Sequence, residues 1–363
     1  MESDKLIFAI GNPLLDIASQ PYGSGIEGFT HEAGQELMEK YSLVKALACL
    51  AEDKHKELFD QLWADEKGDR TPGGAAMNAI RCANFMLKEK DNSCLYFGSI
   101  ADDERGQVLK NSLDAEKIDY NFSITDETYT GACAVVIVDN ERSLCADLAA
   151  CLKYKTSHLE ENLDLIKQYK IIYTTGFFIT SNAEALQKVA ETAHENNILF
   201  SFNLSATFLI SGCKDTYLAI LPYVDLVFGN EDEIDVFGET HEVGSKDRKE
   251  IAAYIAKMDK KNTARERKVI ITQGPDDTIV AVHNFETNET TVTCHPVPAL
   301  AKEDIVDTNS AGDSFTGGYL AALAQGHSEE TCLEAARYCA KYILKTPGCQ
   351  FLRENEFQYP ALE

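Results

Sequence analysis

From about residue 170 the chain alternates apolar β-branched runs with amphipathic helical patterns, and this alternation restricts the fold more than any other feature. Ile171 to Thr175 reads as a strand and Ala183 to Glu195 as a helix, with Ala185, Leu186, Val189, Ala190 and Ala193 as its inner stripe. Ile198 to Asn203 and Val224 to Phe228 read as strands around a helix at Tyr217 to Leu221. The charged helix Arg248 to Lys260 leads to a further strand at Lys268 to Thr272. The pattern predicts an α/β fold: a large three-layer α/β/α domain with a mostly parallel sheet.

Ligands of open α/β sheets bind outside the carboxyl ends of the strands. Six polar or glycine-containing motifs are expected there: Gly11 to Asp16, Gly176-Phe177-Phe178, Leu204-Ser205-Ala206, Gly229 to Glu233, Gln273-Gly274 and the 307–313 run. Two segments break the alternation. Ala18 to Arg70 mixes a polar loop with a helical run at Glu52 to Trp63. Thr130 to Leu148 reads as a hairpin turning at Asp139-Asn140-Glu141. Its second strand sets Leu144, Ala146 and Leu148 against Ser143, Cys145 and Asp147, an apolar face suited to covering a ligand. Both segments are assigned to a small sheet-containing lid domain, residues 16–70 and 121–148. The large domain takes 1–15, 71–120 and 149–363.

Net charge is −25, so the surface repels nucleic acid and anionic membranes, and neither is expected as a partner. Eleven cysteines without a Cys-x-x-Cys pair argue against a disulfide framework or zinc ribbon and for a reducing compartment. No uncharged apolar run approaches the ~18 residues of a membrane span. The acidic start, Met1 to Lys5, does not read as a signal peptide, and a cytoplasmic monomer is expected.

Asp307-Thr308-Asn309-Ser310-Ala311-Gly312-Asp313 runs into an apolar helix marked by Phe315, Tyr319, Leu320 and Leu323. A helix N-terminus offers free N–H groups and a positive dipole end, a ready anion site. Asp313 is then either an N-terminal cap or a base facing a phosphoryl group held by Ala311, Gly312 and its own N–H. Each further motif carries two readings of the same kind. Gly73 and Gly74, with Asn78 one turn on, permit close backbone approach to a ligand or simply make a turn. Asp16, after an apolar strand, can accept from a vicinal diol or cap the backbone. Arg142 is a phosphate clamp or an exposed charge. Asn230 and Glu233 suit hydrated Mg²⁺ or the helix dipole. Phe177 and Phe208 stack on a flat base or join the core.

Taken together these motifs resemble the ribokinase-like carbohydrate and nucleoside kinases. The elements Gly73-Gly74 with Asn78, and Asp307 to Asp313, belong to the whole family. Gly11-Asn12-Pro13-Leu14-Leu15-Asp16, Leu50 to His55 and Asn140 to Ala149 look like the members that phosphorylate adenosine. The resemblance implies ATP-dependent phosphorylation of the adenosine 5′-hydroxyl to AMP, with Mg²⁺ accompanying ATP and Asp313 as base. Asp16, Asn12, Gly73, Gly74 and Asn78 would hold the nucleoside, and Asn309 would lie beside it. Cys133, Leu144, Leu148, Phe177 and Phe208 would enclose the purine. Ala311, Gly312 and Arg142 would meet the phosphates, and Asn230 and Glu233 the metal. The alternatives are a kinase of this fold acting on another nucleoside or sugar, and a nucleoside-binding protein without turnover. The departure that bears on turnover is Ser310, where the family has glycine. That glycine serves either a left-handed backbone or close approach of a phosphate. No Gly-x-x-x-x-Gly-Lys-[Ser/Thr] occurs, and one glycine after the first strand is not a dinucleotide fingerprint.

Overall fold

The computed structural model describes residues 5–18, 31–44, 48–65, 68–88, 90–138 and 141–362. The expected turn residues Asp139 and Asn140 fall outside them.

Two sheets organise the chain. Nine strands form the larger, in the order β14 (Glu289–His295), β13 (Asp276–Asn284), β12 (Arg267–Gln273), β11 (Leu226–Asn230), β10 (Leu199–Asn203), β9 (Ile171–Thr175), β1 (Ile7–Ile10), β5 (Cys94–Ala101) and β6 (Asp119–Thr125). From β6 to β12 neighbours are parallel, and β12, β13 and β14 close the edge as an antiparallel meander. Side chains alternate across β1. Ile7 and Ala9 pack with helices Ala75–Met86, Ala311–Ala324 and Glu329–Leu344, whereas Phe8 and Ile10 pack with Ile179–Glu195 on the other face. The expected three layers follow from this alternation.

The smaller sheet has the order β3 (Ala48–Leu50), β8 (Glu141–Asp147), β7 (Ala132–Val138), β2 (Leu14–Ala18) and β4 (Asp69–Gly73). Its limits differ from the sequence division. β2 begins at Leu14 and β4 runs to Gly73, while residues 121–125 lie in β6 and pair with β5 of the large sheet. Arg81 ties the two parts together. Its buried guanidinium donates to the Pro72 carbonyl at 3.1 Å, to the Cys349 carbonyl at 2.9 Å, and to the Glu116 carboxylate.

Two local expectations need correction. The 307–313 run does not follow a strand. It comes after a short 3-10 turn at Lys302–Asp304, and the Val306 N–H bonds the Leu344 carbonyl at the end of the Glu329–Leu344 helix. Five strand ends, not six, therefore face the site. The Ile179–Glu195 helix also begins four residues before Ala183, across a non-helical break at Asn182.

Arg267 is wholly buried in β12 and donates five hydrogen bonds to main-chain carbonyls, those of Leu221, Val224, Ile255, Met258 and Asp259. Burial lowers its basicity to about 10, still well above neutrality. Replacing it with methionine would leave those carbonyls short of donors in a dry interior. Arg267→Met is expected to cost at least about 3 kcal/mol, read from the urea midpoint at unchanged slope.

Candidate active site

Strand order reverses between β1 and β9. The chain passes from β1 outward through β5 and β6, then returns to build the other half from β9. The crevice at such a switch point is where α/β sheets bind ligands. Asn12, just beyond β1, spans it: its amide donates to the Phe177 carbonyl at 3.0 Å and accepts from Ser181 Oγ at 2.7 Å. A cleft of about 310 Å³ opens here, between the strand ends and the smaller sheet.

Its floor is the start of the Ala311–Ala324 helix. Ser310, Gly312 and Asp313 line it, with Asn309 beside them. A Cβ on Gly312 would meet no protein atom within 4 Å, and its φ lies outside the left-handed region. Neither packing nor backbone conformation requires glycine there, so its value lies in leaving backbone open to the cleft. Ala311 sits behind it, at the first helical position. Asp313 is half-buried and accepts from Asn78 Nδ2 at 3.1 Å. Loss of solvent pushes its carboxyl from 3.8 up to about 7, against the pull of the Asn78 bond and with a further push from Asp16.

Ser310 resolves the choice left by the sequence. Its φ of 61° and ψ of 8° are left-handed, a backbone conformation that glycine adopts without strain. Serine bears a strain there of roughly 1 kcal/mol. Its side chain does not cap the helix; Oγ accepts from Asn78 Nδ2 at 3.0 Å.

The side nearer the smaller sheet carries Asp16 and Asn78. Asp16 lies in β2, paired with Thr71 of β4 and Cys133 of β7. A Cβ on Gly73 would collide with the Asp16 carboxylate, so this glycine lets the carboxylate lie across β4. Gly74 has φ of 95°, and a Cβ on it would strike the Asn12 carbonyl, so no other residue fits. Asn78 Oδ1 is buried without a protein partner, an acceptor left for a ligand donor.

The apolar wall comes from Cys133, Leu144, Ala146 and Leu148, with Leu50 and Phe208 more exposed at the rim and Phe177 half-buried. Here β8 gives an informative result. Ser143 and Cys145 are buried behind the sheet, Ser143 donating to Met38 of the His31–Tyr41 helix, while Leu144 and Ala146 face the cleft. The apolar face is the half-exposed one. Arg142 lies in β8 opposite Ile137; its side chain is outside the described residues.

Asn230 and Glu233 line the far end, at the start of the Glu231–Thr240 helix. They form a reciprocal cap: Asn230 Oδ1 accepts from the Glu233 N–H at 2.8 Å, and both Glu233 oxygens accept from Asn230. Burial pushes the Glu233 carboxyl up to about 7, with added repulsion from Asp313 and Glu231. Ser205, in one of the expected strand-end motifs, lines the cleft, as do Thr175, Asn203 and Thr272, which the sequence reading did not single out. The strand-end rule could have found the last three, because Thr175 ends β9, Asn203 ends β10 and Thr272 is the penultimate residue of β12. Ser205 is left-handed at φ 76° and accepts from the Gly176 N–H at 2.8 Å, which links the loops after β9 and β10.

The family model for pfkB carbohydrate kinases matches residues 40–356. The chain belongs to that family. Among curated relatives, adenosine kinase 2 of Arabidopsis thaliana is 35% identical, over 98% of this chain and 98% of its own length. The adenosine kinase of Dictyostelium discoideum is 36% identical, over 94% of this chain and 95% of its own. The crystal structure of Anopheles gambiae adenosine kinase in complex with P1,P4-di(adenosine-5) tetraphosphate superposes with a TM-score of 0.87 at 32% identity, covering 97% of this chain and 99% of that one. The family resemblance carried by the motifs thus extends over nearly the whole chain, and the two-sheet pfkB fold is the one expected. Among the described residues no helix is long and apolar enough to cross a membrane.

Asp313 ionises at higher pH in the folded chain than in the unfolded one, so folding opposes its charge. That cost is absent below about pH 4, grows as pH rises, and is complete above about pH 7. Asp313→Asn is therefore expected to stabilise the protein by roughly 1–3 kcal/mol at pH 8 and by little at pH 4, measured by paired denaturant titrations.

Proposed function

We propose that this chain transfers the γ-phosphoryl group of ATP to the 5′-hydroxyl of adenosine, giving AMP and ADP, with Asp313 as the base. The observation that carries the reading is the pairing of a carboxyl poised near neutrality with the open backbone of Gly312 on one helix N-terminus. Full-length likeness to adenosine kinases supports the choice of nucleoside.

The nucleoside lies in the cleft with its ribose toward Asp16, whose carboxylate accepts from the 2′ and 3′ hydroxyls. Asn78 Oδ1 accepts from a substrate hydroxyl, and the apolar wall of Leu144, Leu148, Cys133 and Phe177 covers the purine, with Phe208 at the rim. Asp313 takes the 5′-hydroxyl proton as the oxygen bonds to phosphorus and the bond to the ADP oxygen breaks. The N–H groups of Ala311, Gly312 and Asp313 accept the charge that gathers on the transferring group. Arg142 meets the phosphates from β8.

Mg²⁺ fits the donor set. Glu233 and Asn230 offer oxygen donors, a dication would relieve the repulsion that Asp313 and Glu231 exert on Glu233, and Mg²⁺ keeps most of its waters. The cap bonds between Asn230 and Glu233 leave carboxylate lone pairs for those waters, so these two residues would hold the ion with ATP. It would supply charge neutralisation. We further assign the protein to the cytoplasm as a monomer; eleven free cysteines suit a reducing compartment.

The test is AMP formation from ATP, Mg²⁺ and a panel of nucleosides and free sugars, with product detected directly. A chain that binds adenosine and makes no AMP would be a binding protein. Asp313→Asn is expected to lower kcat by about 10²–10⁴ with adenosine affinity within a few-fold of wild type. Asp16→Ala is expected to weaken ribonucleoside binding by roughly 1.5–3 kcal/mol per hydroxyl lost and deoxynucleoside binding by less, read by calorimetry. Equal losses would exclude diol recognition.

A further inference from the structure

Ser310 stands where neither usual reason for serine at a helix start applies. Its backbone is left-handed, which glycine adopts without strain, and its hydroxyl makes no cap to the helix. The hydroxyl oxygen instead takes one hydrogen of the Asn78 amide at 3.0 Å, and the other goes to Asp313 Oδ2 at 3.1 Å. Ser310 is 8% exposed and Asn78 4%, so water competes little for these bonds. We propose that the Ser310 hydroxyl is a positioning group for the base: through the Asn78 amide it fixes the Asp313 carboxylate in the orientation that receives the substrate proton. This inference rests on the phosphotransferase reading above.

The geometry supports it in two ways. Both acceptors lie on the same Asn78 nitrogen, so turning the amide over would break both bonds and set Oδ1 against a carboxylate. The helix carrying Ser310 and Asp313 also touches the Asn78 helix through backbone: a Cβ on Gly317 would strike the Ala79 carbonyl. Asn78 therefore has little room to find another partner. With glycine at 310 the amide keeps one acceptor and can swing. The titratable groups facing Asp313 are Asp16 from β2, Glu233 from the Glu231–Thr240 helix, Tyr173 from β9 and Cys349 from the C-terminal segment. None of them brings positive charge, so a loosened Asn78 leaves the carboxylate less supported.

The experiment compares full-length wild type, Ser310→Gly and Ser310→Ala. AMP formation is followed from about pH 5.5 to 9 and adenosine binding by calorimetry. Both variants are expected to lose about three- to tenfold in kcat at pH 7 with adenosine affinity within about twofold. The acid limb of kcat should move up by about half to one pH unit in both. Glycine should raise the melting temperature and alanine should not, because only glycine relieves the backbone. Ser310→Gly with wild-type kcat and an unmoved acid limb would overturn the proposal. A loss confined to Ser310→Ala would assign the effect to backbone strain and overturn it as well. A wild type that makes no AMP would overturn the phosphotransferase reading itself, and the inference would fall with it.

Discussion

The site depends on a backbone-to-backbone contact between helices. The Ala311–Ala324 helix carries consecutive glycines on opposite sides: Gly317 lies against Ala79 and Cys82, and Gly318 against the Ala335 carbonyl and Cys339. Any side chain at either position would push the helices apart. Because they touch, Asn78 on one helix reaches Ser310 and Asp313 on the other, and the 311–313 backbone is held at the crevice beside β1 and β9. Arg81, four positions before Phe85 on the same central helix, carries the placement outward by holding Pro72, next to Gly73 and so behind Asp16. A small set of close contacts thus fixes the relative positions of the Asp16 and Asp313 carboxylates.

The charge balance of the cleft follows from this crowding. Asp16, Glu233 and Asp313 share one cavity on a chain of net charge −25. Mutual repulsion and loss of solvent both oppose ionisation, which is why two of these carboxyls lie near 7. For a base the consequence is useful, since proton transfer is most efficient when the acceptor's affinity lies near the working pH. For binding an anion it is a cost, which the main-chain dipoles of a helix N-terminus offset. The apolar wall of β8 sharpens both effects, because excluding water strengthens every remaining electrostatic interaction.

What the sequence made legible was local or periodic. Strands at Ile171 to Thr175 and Lys268 to Thr272 are β-branched runs, and their placement in a parallel sheet follows from alternation with helices. The position of the 307–313 run was not legible, because a long-range bond to Leu344 anchors it and no strand precedes it. Periodicity separated the two faces of β8 correctly but could not tell which one was inside. Ser143 points inward against the His31–Tyr41 helix, which no pattern announced, and Cys145 points inward beside Cys49 and His55. The missed polar residues Thr175, Asn203 and Thr272 look like ordinary strand-end residues until the sheet order brings them to one cavity.

Ser310 and Gly312 make opposite demands although two residues apart. At Gly312 the backbone is ordinary and the space around Cα is empty of protein. A side chain would fold there without strain but would occupy the open space at the cleft floor. At Ser310 the backbone is strained, and the side chain turns away from the helix's free N–H groups into a buried bond with Asn78. A substituent at 312 would fill open space beside the helix N-terminus, whereas one at 310 costs stability through its backbone and reaches Asp313 only through the Asn78 amide. A chain can therefore carry serine at 310 and keep the helix N-terminus open to the cleft, provided 312 stays glycine. Stability of about 1 kcal/mol is a small fraction of what a protein of this size holds. The binding geometry of the 311–313 backbone has no comparable reserve, since a misplacement near 1 Å can cost a hundredfold in rate.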